Sequence, residues 1–149
     1  MSGTIAIQRA SRLAGIPSDR LFRKWLGAAL PKPAELSLRI VNAAEGRNLN
    51  SAFRGKDYAT NVLTFVYHEP KAAVLLGDIV LCAQVLAREA REQGKTLEAH
   101  YAHMTVHGAL HLAGMDHEKP RDARRMESRE VEILGALGFD DPYDDGGVR

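Results

Sequence analysis

Apolar residues recur along this chain at two periods, and the switches between them mark its elements. Thr4 to Ile7 alternates polar and apolar positions and predicts a first strand. Pro17, Ser18 and Asp19 then open a helix in which Leu21, Phe22, Trp25, Leu26 and Ala29 fall at helical spacing, until Pro31 and Pro33 stop it. Leu36 to Val41 returns to strand period, with Leu36, Leu38 and Ile40 on one face and Arg39 on the other. Between Asn42 and Gly55, the positions Ala44, Asn48, Leu49, Ala52 and Phe53 fit a short helix closed by the glycine. Asn61 to Tyr67, rich in β-branched and aromatic residues, predicts a third strand. Leu75 to Cys82 predicts a fourth, with Gly77-Asp78 at its start, where an Asp is also what a turn or bulge would place.

The second half is helical. Gln84 to Gln93 ends at Gly94, and Thr96 then caps a helix with Glu98 in its first turn, where an acid favours the positive end of the dipole. Pro120 begins the last helix, with Met126, Glu130, Ile133, Leu134 and Leu137 on one face and Gly138 at its end. The acidic segment from about residue 140 to 149 is expected to be mobile. No repeat or interdomain linker is visible. The expected fold is a single α+β domain over residues 1–149, a small mixed four-stranded sheet packed with about five helices.

A chain of 149 residues, 45% of them hydrophobic, suits one such domain with a real core. The single cysteine, Cys82, lies in an apolar run, so neither a disulfide partner nor a Cys-x-x-Cys zinc ribbon is expected. No apolar run has signal-peptide or membrane-span length, and the expectation is a soluble cytoplasmic protein without a membrane partner. The net charge of +1 says little, but its distribution is uneven. Residues 1–60 hold ten Lys/Arg against four Asp/Glu, and the remainder is slightly acidic. A basic first half suits a polyanionic substrate, and equally a merely solvated surface.

The candidate chemistry lies in His103-Met-Thr-Val-His107-Gly-Ala-Leu-His111-Leu-Ala-Gly114-Met-Asp116-His117. His107 and His111, four residues apart, lie one above the other on a helix and can hold one cation together. Gly114 can leave the helix through a positive φ, and the returning chain brings His117 round as a third ligand. Three nitrogen ligands with an open fourth position suit a catalytic zinc site. His103 is also four residues before His107, but His103 and His111 would stand about 12 Å apart along the axis, too far to share an ion. The glycine therefore favours the 107/111/117 set, with His103 beside it. In the zinc peptidase helix His-Glu-x-x-His the glutamate is the general base; here Gly108 stands in its place. Arg54 and Lys56 sit at the carboxy-terminal end of the second predicted helix, where cations also simply complement the dipole.

With these residues in view, the chain closely resembles the YbeY family of bacterial endoribonucleases and rRNA maturation factors. The resemblance runs from about Leu36 to Tyr143. It rests on Leu49-Asn-Ser-Ala-Phe-Arg54-Gly-Lys56-Asp57, Thr60-Asn-Val-Leu-Thr-Phe65, Leu76-Gly-Asp-Ile79, Glu98-Ala-His-Tyr-Ala-His103-Met104 and the histidine signature His107 to His117, closed by Met126-Glu127 and Leu137-Gly-Phe139. It implies that His107, His111 and His117 hold one metal ion, usually zinc, and that Arg54 is the functionally essential arginine. It implies cleavage of single-stranded RNA, maturation of the 16S rRNA precursor, ribosome quality control and association with the small ribosomal subunit. Met115 stands where the signature often has tyrosine, and Val66 where proline is common.

The leading expectation is metal-assisted phosphodiester hydrolysis, which does not demand a protein base at position 108. Arg54 would pair with a phosphate through two hydrogen bonds and offset the charge gained in the transition state. Lys56 is a further substrate contact. Asp116 either orients a ligand imidazole or belongs to the turn beside Gly114. His103 is an orienting group, a proton carrier or a hydrogen-bonded structural residue. Two rival readings are a metal-dependent hydrolase of another bond, such as an amide, and an RNA- or ribosome-binding factor with a structural metal. Nickel and other transition metals share zinc's taste for imidazole.

Overall fold

The computed structural model describes residues 3–144. Its elements are β1 (Thr4–Arg9), α1 (Asp19–Ala29), β2 (Ala34–Val41), α2 (Ala43–Arg54), β3 (Val62–Val66), β4 (Leu75–Cys82), α3 (Ala83–Gln93), α4 (Leu97–Leu112) and α5 (Pro120–Ala136). The four strands form one mixed sheet in the order β1-β2-β4-β3, within the α+β domain expected. β1 pairs parallel with β2 and β2 with β4, whereas the edge strand β3 runs antiparallel to β4.

The period-two pattern divides the core. Leu36, Leu38 and Ile40 of β2 and Leu75, Ile79 and Leu81 of β4 join the main cluster with α1, α4 and α5. Val41, Val80 and Leu63, on the other face, form a smaller cluster against Leu49 of α2 and Phe65. β3 is therefore shared: Leu63 and Phe65 belong to the small cluster, and Val62 packs on the large one. Gly77-Asp78 is no turn or bulge. Asp78 keeps register with Ser37 on one side and Phe65 on the other, and its carboxylate accepts from Ser37 Oγ at 2.6 Å and Tyr67 OH at 2.8 Å. Gly77 is a site of close approach: a Cβ there would fall 2.3 Å from both the Phe65 carbonyl oxygen and Leu112 Cδ1.

α4 is the hub, in contact with α1, α3, α5, β3 and β4. Thr96 caps it by accepting a bond from the Ala99 N–H at 3.1 Å. Its residues are buried nearly all round, as expected of a helix enclosed on every side. Within its histidine run, only His107 and His111 are half-exposed. Of the acidic terminal segment, residues 145–149 lie outside the described residues; within the described part, Tyr143 reaches inward to Glu130 of α5. Cys82 is buried with a free thiol.

Candidate metal centre and its cleft

The half-exposed end of α4 opens on a cleft of about 400 Å³. His107, His111, Asp116, His117, Arg54 and Lys56 all line it, so six of the seven residues singled out in the sequence share one cavity. His103, the seventh, does not; it is 5% exposed and lies behind the cleft.

The backbone beyond α4 brings His117 round. Gly114 takes φ of 103°, and the Met115 N–H donates to the Leu110 carbonyl at 3.0 Å, closing the helix in a left-handed turn. Asp116 Oδ1 then accepts from the backbone N–H groups of His117 at 2.7 Å and Glu118 at 3.2 Å. Its carboxylate holds the turn. The His117 ring centroid comes to 5.3 Å from that of His107 and 5.9 Å from that of His111. Two imidazoles on one tetrahedral zinc, with Zn–N bonds near 2 Å, have ring centroids about 5 Å apart. The spacing is somewhat open by that measure, and among the described residues no three His, Cys, Asp or Glu side chains form a closed metal-binding group.

The chemistry of the donors suits a cation. His107 Nδ1 donates to the Glu130 Oε2 carboxylate oxygen at 2.7 Å, so Nε2 is the ring nitrogen left for a ligand. Among the described residues, the buried Nδ1 of His111 has no hydrogen-bond partner, a feature it shares with His100 and His103. Burial, reinforced by His107, His117 and Arg54, holds the His111 pKa below the usual imidazole range, though Asp116 opposes this. The shift favours the neutral ring, the form in which imidazole binds a metal.

Glu130 is what the sequence reading left undeveloped. Its spacing puts it on the apolar face of α5, and it is fully buried there. Besides His107, it accepts from His103 Nε2 at 2.8 Å and from the Tyr143 hydroxyl, both on Oε1. Burial alone would raise its pKa, but the bonds from His103, His107 and Tyr143 outweigh it and hold the carboxyl down to about 2. An acid within an apolar stripe was the one available signal; its two histidine partners lie 23 and 27 residues away on another helix, and Tyr143 lies 13 residues beyond it.

The opposite wall of the cleft comes from α2 and the loop after it. Gly55 leaves α2 with φ of 69°, so Arg54 is the helix's last residue and projects at its end. One terminal guanidinium nitrogen donates to the Thr64 carbonyl of β3 at 2.7 Å, and the guanidinium carbon stands 5.8 Å from the Phe65 ring centroid. The loop carrying Lys56 is shaped by the buried Asn50, whose Nδ2 donates to the Tyr58 carbonyl at 2.8 Å. It is also pinned by the two-pronged Arg47–Asp57 pair at 2.8 and 2.9 Å.

Position 108 has a packing reason to be glycine. A Cβ there would lie 2.9 Å from Ile79 Cγ2 and 3.4 Å from Val62 Cγ2, because this side of α4 rests on β4 and β3. It faces the sheet, so a peptidase-type glutamate has no room there.

A family model described as endoribonuclease YbeY matches residues 10–138. The endoribonuclease YbeY of Nitrosomonas europaea is 57% identical over 139 residues, covering 93% of this chain and 84% of that protein. That of Stenotrophomonas maltophilia is 53% identical, over 93% of this chain and 92% of the relative. Among solved structures, the solution structure of TM1509 from Thermotoga maritima superposes with a TM-score of 0.58 at 26% identity, over 98% of this chain and all of that one.

Proposed function

Because this chain belongs to the endoribonuclease YbeY family, we propose that the cleft between α4 and α2 cuts single-stranded RNA with the help of one bound metal ion. The supporting observation is the convergence of three histidine rings and one projecting arginine on a single cavity.

His107, His111 and His117 would hold the ion, with zinc suited to an all-imidazole set. When bound, it supplies Lewis acidity toward a phosphoryl oxygen and the attacking group. Arg54 binds the phosphate. Its bond to the Thr64 carbonyl restrains the guanidinium from one side and leaves the rest of the fork to pair with two phosphate oxygens. A guanidinium held this way needs little reorganisation as negative charge builds on the phosphoryl group. Lys56, exposed on the adjoining loop, adds positive charge along the strand's path. Asp116 keeps His117 turned into the cleft through the two backbone bonds it accepts.

The substrate in the cell is the 16S rRNA precursor, met on the small ribosomal subunit in the cytoplasm. Family membership supports this reading, as do the surplus of basic residues in the first sixty positions and the absence, among the described residues, of any helix long and apolar enough to cross a membrane. The test compares unstructured RNA, duplex RNA and an unstructured peptide as substrates, with and without chelator, on protein of measured metal content. Chelator-sensitive cleavage of the unstructured RNA alone is expected. Chelator-insensitive RNA cleavage, or cleavage of the peptide instead, would refute the proposal.

A further inference from the structure

A carboxylate at the centre of an apolar helix face needs a reason. Met126, Ile133 and Leu134 share that face of α5 with Glu130, and all four are buried. A leucine or methionine at position 130 would pack there without the cost of desolvating a charge. What the acid adds is a divided set of contacts. Oε1 takes both His103 Nε2 and the Tyr143 hydroxyl, which fixes the plane of the carboxylate. Oε2 is then aimed at His107 Nδ1, 2.7 Å away. Of the two imidazoles that Glu130 holds, His103 is buried in the packing, whereas the side chain of His107 keeps 21% of its surface and lines the cleft.

We propose that Glu130 is the positioning residue of the metal site, clamped by His103 and Tyr143 so that its free oxygen holds His107 with Nε2 toward the cleft. This rests on the reading of His107 as a metal ligand. A carboxylate on the far nitrogen of a ligand imidazole fixes its tautomer and ring plane and strengthens it as a donor. Tyr143 extends the arrangement: it lies 13 residues beyond Glu130, in the segment after α5, so the carboxy-terminal segment becomes part of what tunes metal affinity.

The experiment measures zinc affinity by competition with a chromophoric chelator, for wild type, Glu130→Gln and Tyr143→Phe. Histidine ring tautomers are read in the metal-free proteins from long-range ¹H–¹⁵N spectra, and folding from thermal unfolding. Glu130→Gln keeps the size and one acceptor oxygen but removes the charge. Its zinc affinity should fall about 10- to 100-fold. Tyr143→Phe should show a smaller loss, because His103 still donates to Oε1. The metal-free wild type should carry the His107 proton on Nδ1, and Glu130→Gln should lose that preference. If Glu130→Gln fails to fold, Tyr143→Phe and the wild-type tautomer decide the matter. Wild-type zinc affinity in the folded variants, or a His107 proton on Nε2 in the wild type, overturns the proposal while leaving the metal reading intact. A wild type that takes up no zinc overturns the metal reading, and this proposal with it.

Discussion

His100 and His103 stand at the amino-terminal end of a stripe on α4 whose other end is His107 and His111. Steps of three, four and four residues keep all four rings on one side of the helix. The two ends differ in what covers them. At the first end α3 and α5 close over the stripe: His100 Nε2 donates to Glu89 at 2.8 Å, His103 Nε2 to Glu130 at 2.8 Å, and both rings are buried. At the second end α2 and the turn after α4 stand back, leaving a cleft. His107 joins the two, bonded backward to Glu130 and open forward to His117. One side chain, repeated along one helix face, thus serves as a packing group or a candidate ligand according to which neighbour occupies its nitrogens.

Breaking the open end should have the largest effect. His111→Ala is expected to lose stoichiometric metal and at least about 100-fold of RNA cleavage, while His100→Gln keeps both; metal analysis and cleavage assays on the same preparations check this. Arg54→Ala comes next. It should lose on the order of 10²- to 10³-fold in kcat/KM, as when one charge-stabilising donor is removed, with metal content unchanged and the fold kept, the lost bond to the Thr64 carbonyl costing only about 1 kcal/mol because Arg54 is exposed. Undiminished cleavage by that mutant would refute the assigned role.

Gly108→Ala acts between the two ends by pressing α4 off the sheet. With Ile79 Cγ2 only 2.9 Å from the new Cβ, a loss of about 1–3 kcal/mol is expected from urea unfolding. The smallest effect is in the closed end's response to acid. Burial lowers the pKa of His100 below its unfolded value despite the bond to Glu89, and Lys95 and His103 add to the lowering. The folded state therefore favours the neutral ring. The stability this contributes is present above the unfolded pKa near 6.5 and is lost as pH falls through the lower folded value. Unfolding free energy measured across that window should fall less steeply in His100→Gln than in wild type.

Much of the fold was legible in the sequence. Leu75 to Cys82 is β4 at both ends, and the expected strand from Leu36 begins two residues earlier, at Ala34. Thr96, Gly55 and Gly94 end their helices as their chemistry dictates, with a side-chain cap at the first and left-handed glycines at the others. The return at Gly114 was readable too, because a positive φ after a histidine pair is a local property. The strand was legible through Gly77-Asp78, but the turn or bulge that such a pair also suggests was settled only by its pairing, because the local signal is the same whether the chain bends or runs straight between two strands. Glu130 was legible only as an acid on an apolar face and Tyr143 only as the far end of the resemblance, since neither their burial nor their partners are local.

By itself, then, the chain's order of residues determined the helix and strand periods, their caps, the stripe of histidines and the arginine at a helix end. These depend on backbone preferences acting over a few residues. Only the tertiary structure decided which half of the stripe faces a cleft, why position 108 has room for no side chain, and which carboxylate holds His107. The reason is physical: an imidazole's role is set by what lies within about 3 Å of its two nitrogens, and those neighbours come from α2, α3 and α5, brought together by burial of apolar surface rather than by any pattern within α4.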